Sequence, residues 1–462
     1  MYKSGEKRLK KIICFILIVV SIFSLSACGN KSETSLLTSE NKSKLFPEGS
    51  KIENLRLNSM NYSEFKDNNE GFNLVGNSKD KEESDFIYKQ MKEIGLKNVE
   101  QVPITLDGWD LGDISMTFKC DCMETGYMNV YELGVYPCDF SFKGEKYQVL
   151  YVDSLLNYND SLIGKGVLVD IDKYKEIPME SEKAKELGAK FVIFVDKESN
   201  LLIDIKLDLS INVPKDFPIF VISESTLRNI KDNLDEMNQI EVEISGHSKL
   251  KKNVESSFIV GEMKGKSSSK YIYITANRDS FFNGFYGSNI SISELLSIAE
   301  HLINEGYKPK YTIRFLVTTG HEWGSIDGGY NIGLKKYLET INIKKVKYAI
   351  VLDGCKPIEK SVLQEFQCSD NKLIEDVSSI LKDLRTTETK YLTVTGDISN
   401  SRITEAEVWS ELGVDTILQA EPMTSEYYNI ENSSADTASI VTNGDYVNEL
   451  MLNILGLIKG LK

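Results

Sequence analysis

The C-terminal half of the chain alternates two hydrophobic rhythms. Short runs of apolar, β-branched and aromatic residues end at Gly, Asp or Asn, and between them apolar residues return at helical spacing. The first pattern is that of a buried strand and the second that of an amphipathic helix. Strands are predicted at Ser257–Met263, Tyr271–Ala276, Tyr311–Val317, Val346–Leu352 and Val414–Leu418. A helix from Ser293 carries Leu295, Leu296, Ala299, Leu302 and Ile303 on one face and closes at Gly306, which leaves His301 off that face and towards solvent. A last helix, from about Asp445 to Leu461, places Val447, Leu450, Met451, Ile454 and Ile458 at the same spacing. Upstream, Lys81 to Ile94 reads as a helix with Phe86, Ile87, Met91 and Ile94 on one side, terminated by Gly95. Strands alternating with helices predict an α/β fold, a doubly wound sheet.

Between about residues 120 and 250 the rhythm changes to short strands broken by turns. Leu162–Asp170 reads as a turn and strand, Ser181–Leu187 as a helix, and Gly188–Val195 and Phe217–Ser223 as strands, the second leading into another helix. This order resembles the protease-associated domain that is inserted into several peptidases. The resemblance implies a part in substrate gating or protein contact, with no chemistry of its own.

Composition adds a compartment. The 462 residues are 41% hydrophobic, enough for two or three globular domains. With 54 Lys and Arg against 69 Asp and Glu, the formal charge of −15 excludes a nucleic-acid footprint. Lys3, Lys7, Arg8, Lys10 and Lys11 precede an uncharged apolar run, Ile12–Leu25, that suits a signal-peptide core and is short for a membrane span. It ends at Leu25-Ser26-Ala27-Cys28, which resembles a bacterial lipobox. The expectation is a signal peptide over 1–27, acylation of Cys28 and an extracytoplasmic body anchored to the membrane; an uncleaved anchor helix is the alternative. Residues 28–50, rich in Ser, Lys, Asn and Glu, read as a solvated tether. The remaining division is 51–119 as the N-terminal part of the core domain, 120–250 as the insert and 251–462 as the main α/β domain. Beyond Cys28, an odd set of cysteines (Cys120, Cys122, Cys138, Cys355 and Cys368) gives no disulfide framework and leaves pairing open, Cys355 with Cys368 included.

Candidate chemistry gathers at strand ends, where open α/β sheets bind ligands. The run Tyr311–Thr319 stops at Gly320, followed by His321, Glu322, Trp323 and Gly324. With its neighbours, this stretch resembles the co-catalytic zinc aminopeptidase family, which includes aminopeptidase S, aminopeptidase Y, glutamate carboxypeptidase II and the non-catalytic transferrin receptor. The resemblance runs from about residue 51 to 462. It implies a mixed, doubly wound sheet of the zinc-aminopeptidase type and a site of two zinc ions held by two His, a bridging Asp, a Glu and a further Asp, with a separate Glu as general base.

Matched position by position, most of that set is replaced. Asn277 stands where the first His would be, with the orienting Asp retained as Asp279. Gly287, or Ser288 with a slip of one residue, falls at the bridging Asp, His321 at the general base and Asn429 at the second His, while Glu322 and Asp353 keep the ligand carboxylates. Histidines number three, His247, His301 and His321, and only His321 is near the motif. Two zinc ions each with an imidazole cannot be assembled from these positions. The favoured reading is a metal-free, hydrogen-bonded cluster. An all-oxygen set of Glu322, Asp353, Asn277 and Asn429 would instead suit Ca²⁺ or Mg²⁺. A single zinc on Glu322, Asp353, His321 and Cys355 has the right donor count but no known spacing. The implied function is a degenerate, non-hydrolytic peptidase homologue that binds a peptide or protein; the competing class is an active metallo-aminopeptidase with a rearranged site.

Overall fold

The computed structural model describes residues 71–461 apart from 120–125, 200, 202–203, 208–210, 232, 235–236, 354–362, 383–390, 397, 399–403, 421–429, 431–432 and 438–443. The predicted signal peptide, Cys28, the tether, Cys120, Cys122, Cys355 and Asn429 therefore lie outside the described residues. Among the described residues, no helix is long and apolar enough to cross a membrane.

One strand organises the sheet. Strand β9 (Gln239–Met263) pairs along its first half with β5 (Phe140–Val152) and β2 (Ser115–Lys119). Along its second half it pairs with β1 (Lys97–Leu111) and β11 (Tyr311–Thr318), all antiparallel. Its burial follows these neighbours: residues 249–256 are exposed or half-buried, whereas Phe258–Met263 is buried throughout. The sequence reading began this strand only at Ser257, because the polar, Lys-rich stretch before it lacks an apolar run.

From β11 the core continues in parallel through β10 (Ser267–Asn277), β12 (Val346–Leu352) and β15 (Asp415–Ala420). Strand β13 (Leu363–Cys368) joins β15 antiparallel and β14 (Tyr391–Thr395) in parallel at the edge. On the other side of β9, β5 is followed in parallel by β6 (Gly166–Val169), β7 (Val192–Asp196) and β8 (Ile219–Ser223), and β4 (Leu133–Val135) closes that edge antiparallel.

Alternate side chains of the core strands serve the two faces. Ile272, Ile274, Ile313, Phe315, Ile350 and Ile417 pack with helices α1 (Asp80–Ile94), α4 (Ile290–Asn304), α6 (Asn371–Lys382) and α8 (Gly444–Gly460). Tyr273, Leu316, Ala349, Val351 and Leu418 pack with α5 (Ile332–Thr340) and α7 (Glu405–Glu411). Helices on both faces explain why these strands are nearly continuous in apolar residues. Helices α2 (Ile177–Glu186) and α3 (Glu224–Lys231) belong to the segment around β6–β8. The predicted α/β class is the fold adopted.

One expectation is corrected. His301 does not face solvent: its side chain is 9% exposed and its Nε2 lies 2.8 Å from Glu305 Oε1. Lys459 on α8 pairs with the same Glu305 at 2.7 Å, so packing of α8 covers the polar side of α4's last turn. Cys138 and Cys368 are free, buried thiols, and burial pushes each up to about 12.

Candidate functional site

The site forms where β10, β11 and β12 end side by side. Its first element is the turn Asn277-Arg278-Asp279. Arg278, 1% exposed, reaches back to α1, donating from Nη1 to Glu83 Oε2 at 2.8 Å and from Nη2 to Asp80 and to Ser256 Oγ at 3.0 Å. Asn73 adds a 2.8 Å bond to the same Glu83 oxygen. A buried guanidinium with two carboxylates is costly to desolvate and costlier to break, so this turn is fixed. Asn277 uses its amide nitrogen on the Asp279 carbonyl at 3.1 Å.

Asp279 in turn holds the next element. Its carboxylate accepts the backbone N–H groups of His321 (3.2 Å), Glu322 (2.7 Å) and Trp323 (3.4 Å). The chain enters this turn through Gly320, at φ +73°, where a Cβ would meet Leu106 Cδ1 at 2.6 Å and the Gly333 nitrogen at 3.0 Å. Only glycine combines that left-handed backbone with so close an approach. Beyond Glu322 the turn is anchored by Trp323, buried and 6.1 Å from the ring of Trp109.

His321 sits among carboxylates. Its Nδ1 meets Asn331 Oδ1, and because the Asn331 amide nitrogen donates to the Thr404 carbonyl at 3.2 Å, Nδ1 is the donor. Its Nε2 lies 3.8 Å from Glu322 Oε1. Burial would push the imidazole down, but Glu322, then Asp279, Glu405 and Asp353, outweigh it and raise the ring to about 9. His321 is therefore an imidazolium at neutral pH. Glu405, the first residue of α7, is the other member of the cluster and accepts a hydrogen bond from Thr318 at the end of β11. Burial pushes it up, and the charge of His321 and the Thr318 bond oppose this, leaving it at about 7.

The structure thus brings together Asp279, His321, Glu322, Asp353 and Glu405. It does not put Gly287 among them as a donor: its backbone N–H, in the turn Phe285–Asn289 before α4, donates to Asp436 Oδ2 at 3.2 Å. Asn429 and Cys355 lie outside the described residues. Among the described residues, no group of three or more His, Cys, Asp and Glu side chains is set to hold a metal ion. Sequence reasoning missed Glu405 and Asn331. The one signal for Glu405, a carboxylate just after Thr404, reads as an ordinary helix start.

The fold recurs in solved structures. The peptidase M28 precursor from Shewanella amazonensis is similar with 15% identity and a TM-score of 0.65, covering 88% of this chain and 93% of that one. BSAP, a zinc aminopeptidase from Bacillus subtilis, is similar with 17% identity and a TM-score of 0.62 over 87% and 93%. An aminopeptidase from Aneurinibacillus sp. strain AM-1 has 16% identity and a TM-score of 0.53 over 88% and 93%. At such identities the likeness is one of fold. No curated protein sequence matches the chain. The family model for peptidase family M28 matches residues 259–451. That span carries β10, β11, β12 and the strand-end motifs, and over it the chain is similar to peptidase family M28, in line with its resemblance to the co-catalytic zinc aminopeptidases.

Proposed function

We propose that this chain is a lipid-anchored, extracytoplasmic peptidase-like protein that binds a peptide or protein without hydrolysing it. The observation that carries the reading is Gly287. Two dications held close together need a shared anion, and here that position offers a backbone N–H, already donated to Asp436. The donor chemistry around it fits zinc poorly. Two zinc ions would each call for an imidazole, and His321 is the one histidine near the motif, with its Nδ1 donating to Asn331 and its Nε2 facing Glu322. Its charge offsets the surrounding carboxylates, the task that cations perform in a metal-loaded site.

Contact with a protein is supported by the segment around β4–β8. Among the described residues, six of the seven exposed large apolar side chains (Tyr127, Tyr131, Leu156, Ile163, Met179 and Met237) fall between residues 127 and 237. A protein partner seated on this segment would take these side chains out of water. This fits an inserted protease-associated domain, and Cys28 at the lipobox-like motif would supply the anchor.

Elemental analysis and peptidase assays test the reading. The purified protein is expected to carry no stoichiometric zinc and to leave chromogenic aminoacyl substrates uncut. Stoichiometric zinc lost together with turnover on chelation establishes the second reading, an active metallo-aminopeptidase. That reading draws on the ligand carboxylates retained in the sequence, Glu322 and Asp353. Membrane anchoring predicts that Cys28→Ala shifts the protein from the membrane fraction to the soluble one.

A further inference from the structure

A cavity of about 370 Å³ opens between the turn after β11 and the segment around β4–β8. Glu322, Trp323 and Tyr330 form one side, and Tyr136, Asn212 and Lys215 the other. Lys215 is half-buried, with its ammonium 5.6 Å from the ring centroid of Trp323. Among the described residues no carboxylate pairs with it. Two acids close by are engaged elsewhere: Asp216, its neighbour in the chain, with Lys185 at 2.6 Å, and Asp139, whose backbone N–H bonds the Lys215 carbonyl at 3.3 Å, with Lys249. Burial pushes the Lys215 ammonium below its ordinary value, with only the Cys138 thiol acting the other way.

An ammonium withdrawn from water with no counter-ion lowers stability unless something satisfies it. Here it projects into a concave, aromatic-walled space beside Glu322. The lining sets this one cation, with the carboxylates Glu322 and Asp327, among aromatic and apolar walls, and a few placed charges of that kind are how small-ligand sites fix orientation. The chain as a whole carries a formal charge of −15, so a cation in this cleft is also a local exception to a field that repels anions.

We propose that Lys215 is the specificity-determining residue of the cleft, and that it selects peptides bearing a carboxylate next to the segment held against Trp323. The carboxylate is the chain terminus or an Asp or Glu side chain; both present the same anion to the ammonium. The proposal rests on the reading of the cleft as peptide-binding, and holds whether or not the peptide is cut. A charge-assisted hydrogen bond of this kind corresponds to about tenfold or more in affinity.

Equilibrium dialysis of the full chain, held in detergent, against three synthetic tripeptide pools, read by mass spectrometry, tests it. One pool has free C-termini and no Asp or Glu, the second is C-amidated with Asp or Glu at one position, and the third is C-amidated with neither. Retention about tenfold or more above the third pool is expected for the first or the second, and which of them it is identifies the source of the carboxylate. Lys215→Gln is expected to abolish the preference and Lys215→Arg to keep it. Equal retention of all pools, or a preference unchanged by Lys215→Gln, overturns this inference and leaves the peptide-binding reading intact. No retention of any pool by the unaltered protein overturns both. Should Lys215→Gln fail to fold, the pool preference of the unaltered protein decides.

Discussion

The backbone N–H of Gly287 donates to Asp436 Oδ2 at 3.2 Å, which ties the turn before α4 to that carboxylate. Steric need does not explain the glycine. A Cβ there would lie 3.7 Å from the same oxygen, an ordinary contact, and the backbone is not in the left-handed region. Gly287→Asp is therefore expected to fold, with a loss of about 1 to 3 kcal/mol from two carboxylates set against each other. Combined with Asn277→His and Asn429→His, it is expected to make the melting temperature rise with added zinc, while the unaltered protein shows no such rise. Thermal scans with and without zinc check both halves. A zinc-dependent shift in the unaltered protein would contradict the reading of the site.

His321 makes stability depend on pH. Its folded value of about 9 lies above the ordinary 6.5, because Glu322, Asp279, Glu405 and Asp353 outweigh the effect of burial. A raised value means that its contribution is complete below about pH 6.5 and is lost as pH climbs through 9. His321→Gln leaves those carboxylates without their cation and is expected to cost about 2 to 4 kcal/mol at pH 6. Denaturant unfolding from pH 6 to 10 should show the two proteins converging at the alkaline end. A constant gap across that range would mean that His321 acts through packing alone.

Arg278 joins the site to the first helix. It bonds Glu83 and Asp80 from within the core, at 1% exposure, with Asn277 and Asp279 on either side of it in the chain. Arg278→Met strands two buried carboxylates and is expected to cost about 3 to 5 kcal/mol in denaturant unfolding. Arg278→Lys should recover less than half, since an ammonium cannot reproduce the fork that reaches both acids. Full recovery by lysine would show that charge, not geometry, holds the turn.

What could be read from the chain follows the range of the forces involved. Val346–Leu352 is found as predicted because a continuous apolar run between polar residues is a local signal. The predicted helix from Lys81 begins one residue earlier and ends at Ile94 as read, with Gly95 at φ +97° as its left-handed terminator. The strand-end positions of Asp279, Glu322 and Asp353 were legible for the same reason. Glu405 was not, because Thr318, which bonds it, lies 87 positions away and nothing near Glu405 announces the pairing. Arg278 and Asp80 are 198 positions apart. For His301 the helical phase was right and the inference of exposure wrong, since α8, from the far end of the chain, covers that turn.

Glu294 offers the converse of His321. It is wholly buried on α4, and its Oε1 accepts from Gln419 Nε2 on β15 at 3.0 Å. Among the described residues, Oε2 and Gln419 Oε1 both lack partners, the arrangement a protonated acid facing an amide would relieve by donating back. Burial, opposed by the Gln419 bond, raises the acid to about 8. A folded value above the ordinary 4.5 means that the folded chain keeps a proton the unfolded chain has released, so this residue's contribution is full below pH 4.5 and lost as pH rises through 8. Glu294→Gln has the same shape and no charge to release. It is expected to be near neutral at pH 4.5 and more stable than the unaltered protein by about 1 to 3 kcal/mol at pH 9. Urea unfolding at the two pH values measures the difference directly. A variant less stable at pH 9 would mean that the ionised carboxylate has a counter-charge in the folded chain and that Glu294 is not held neutral.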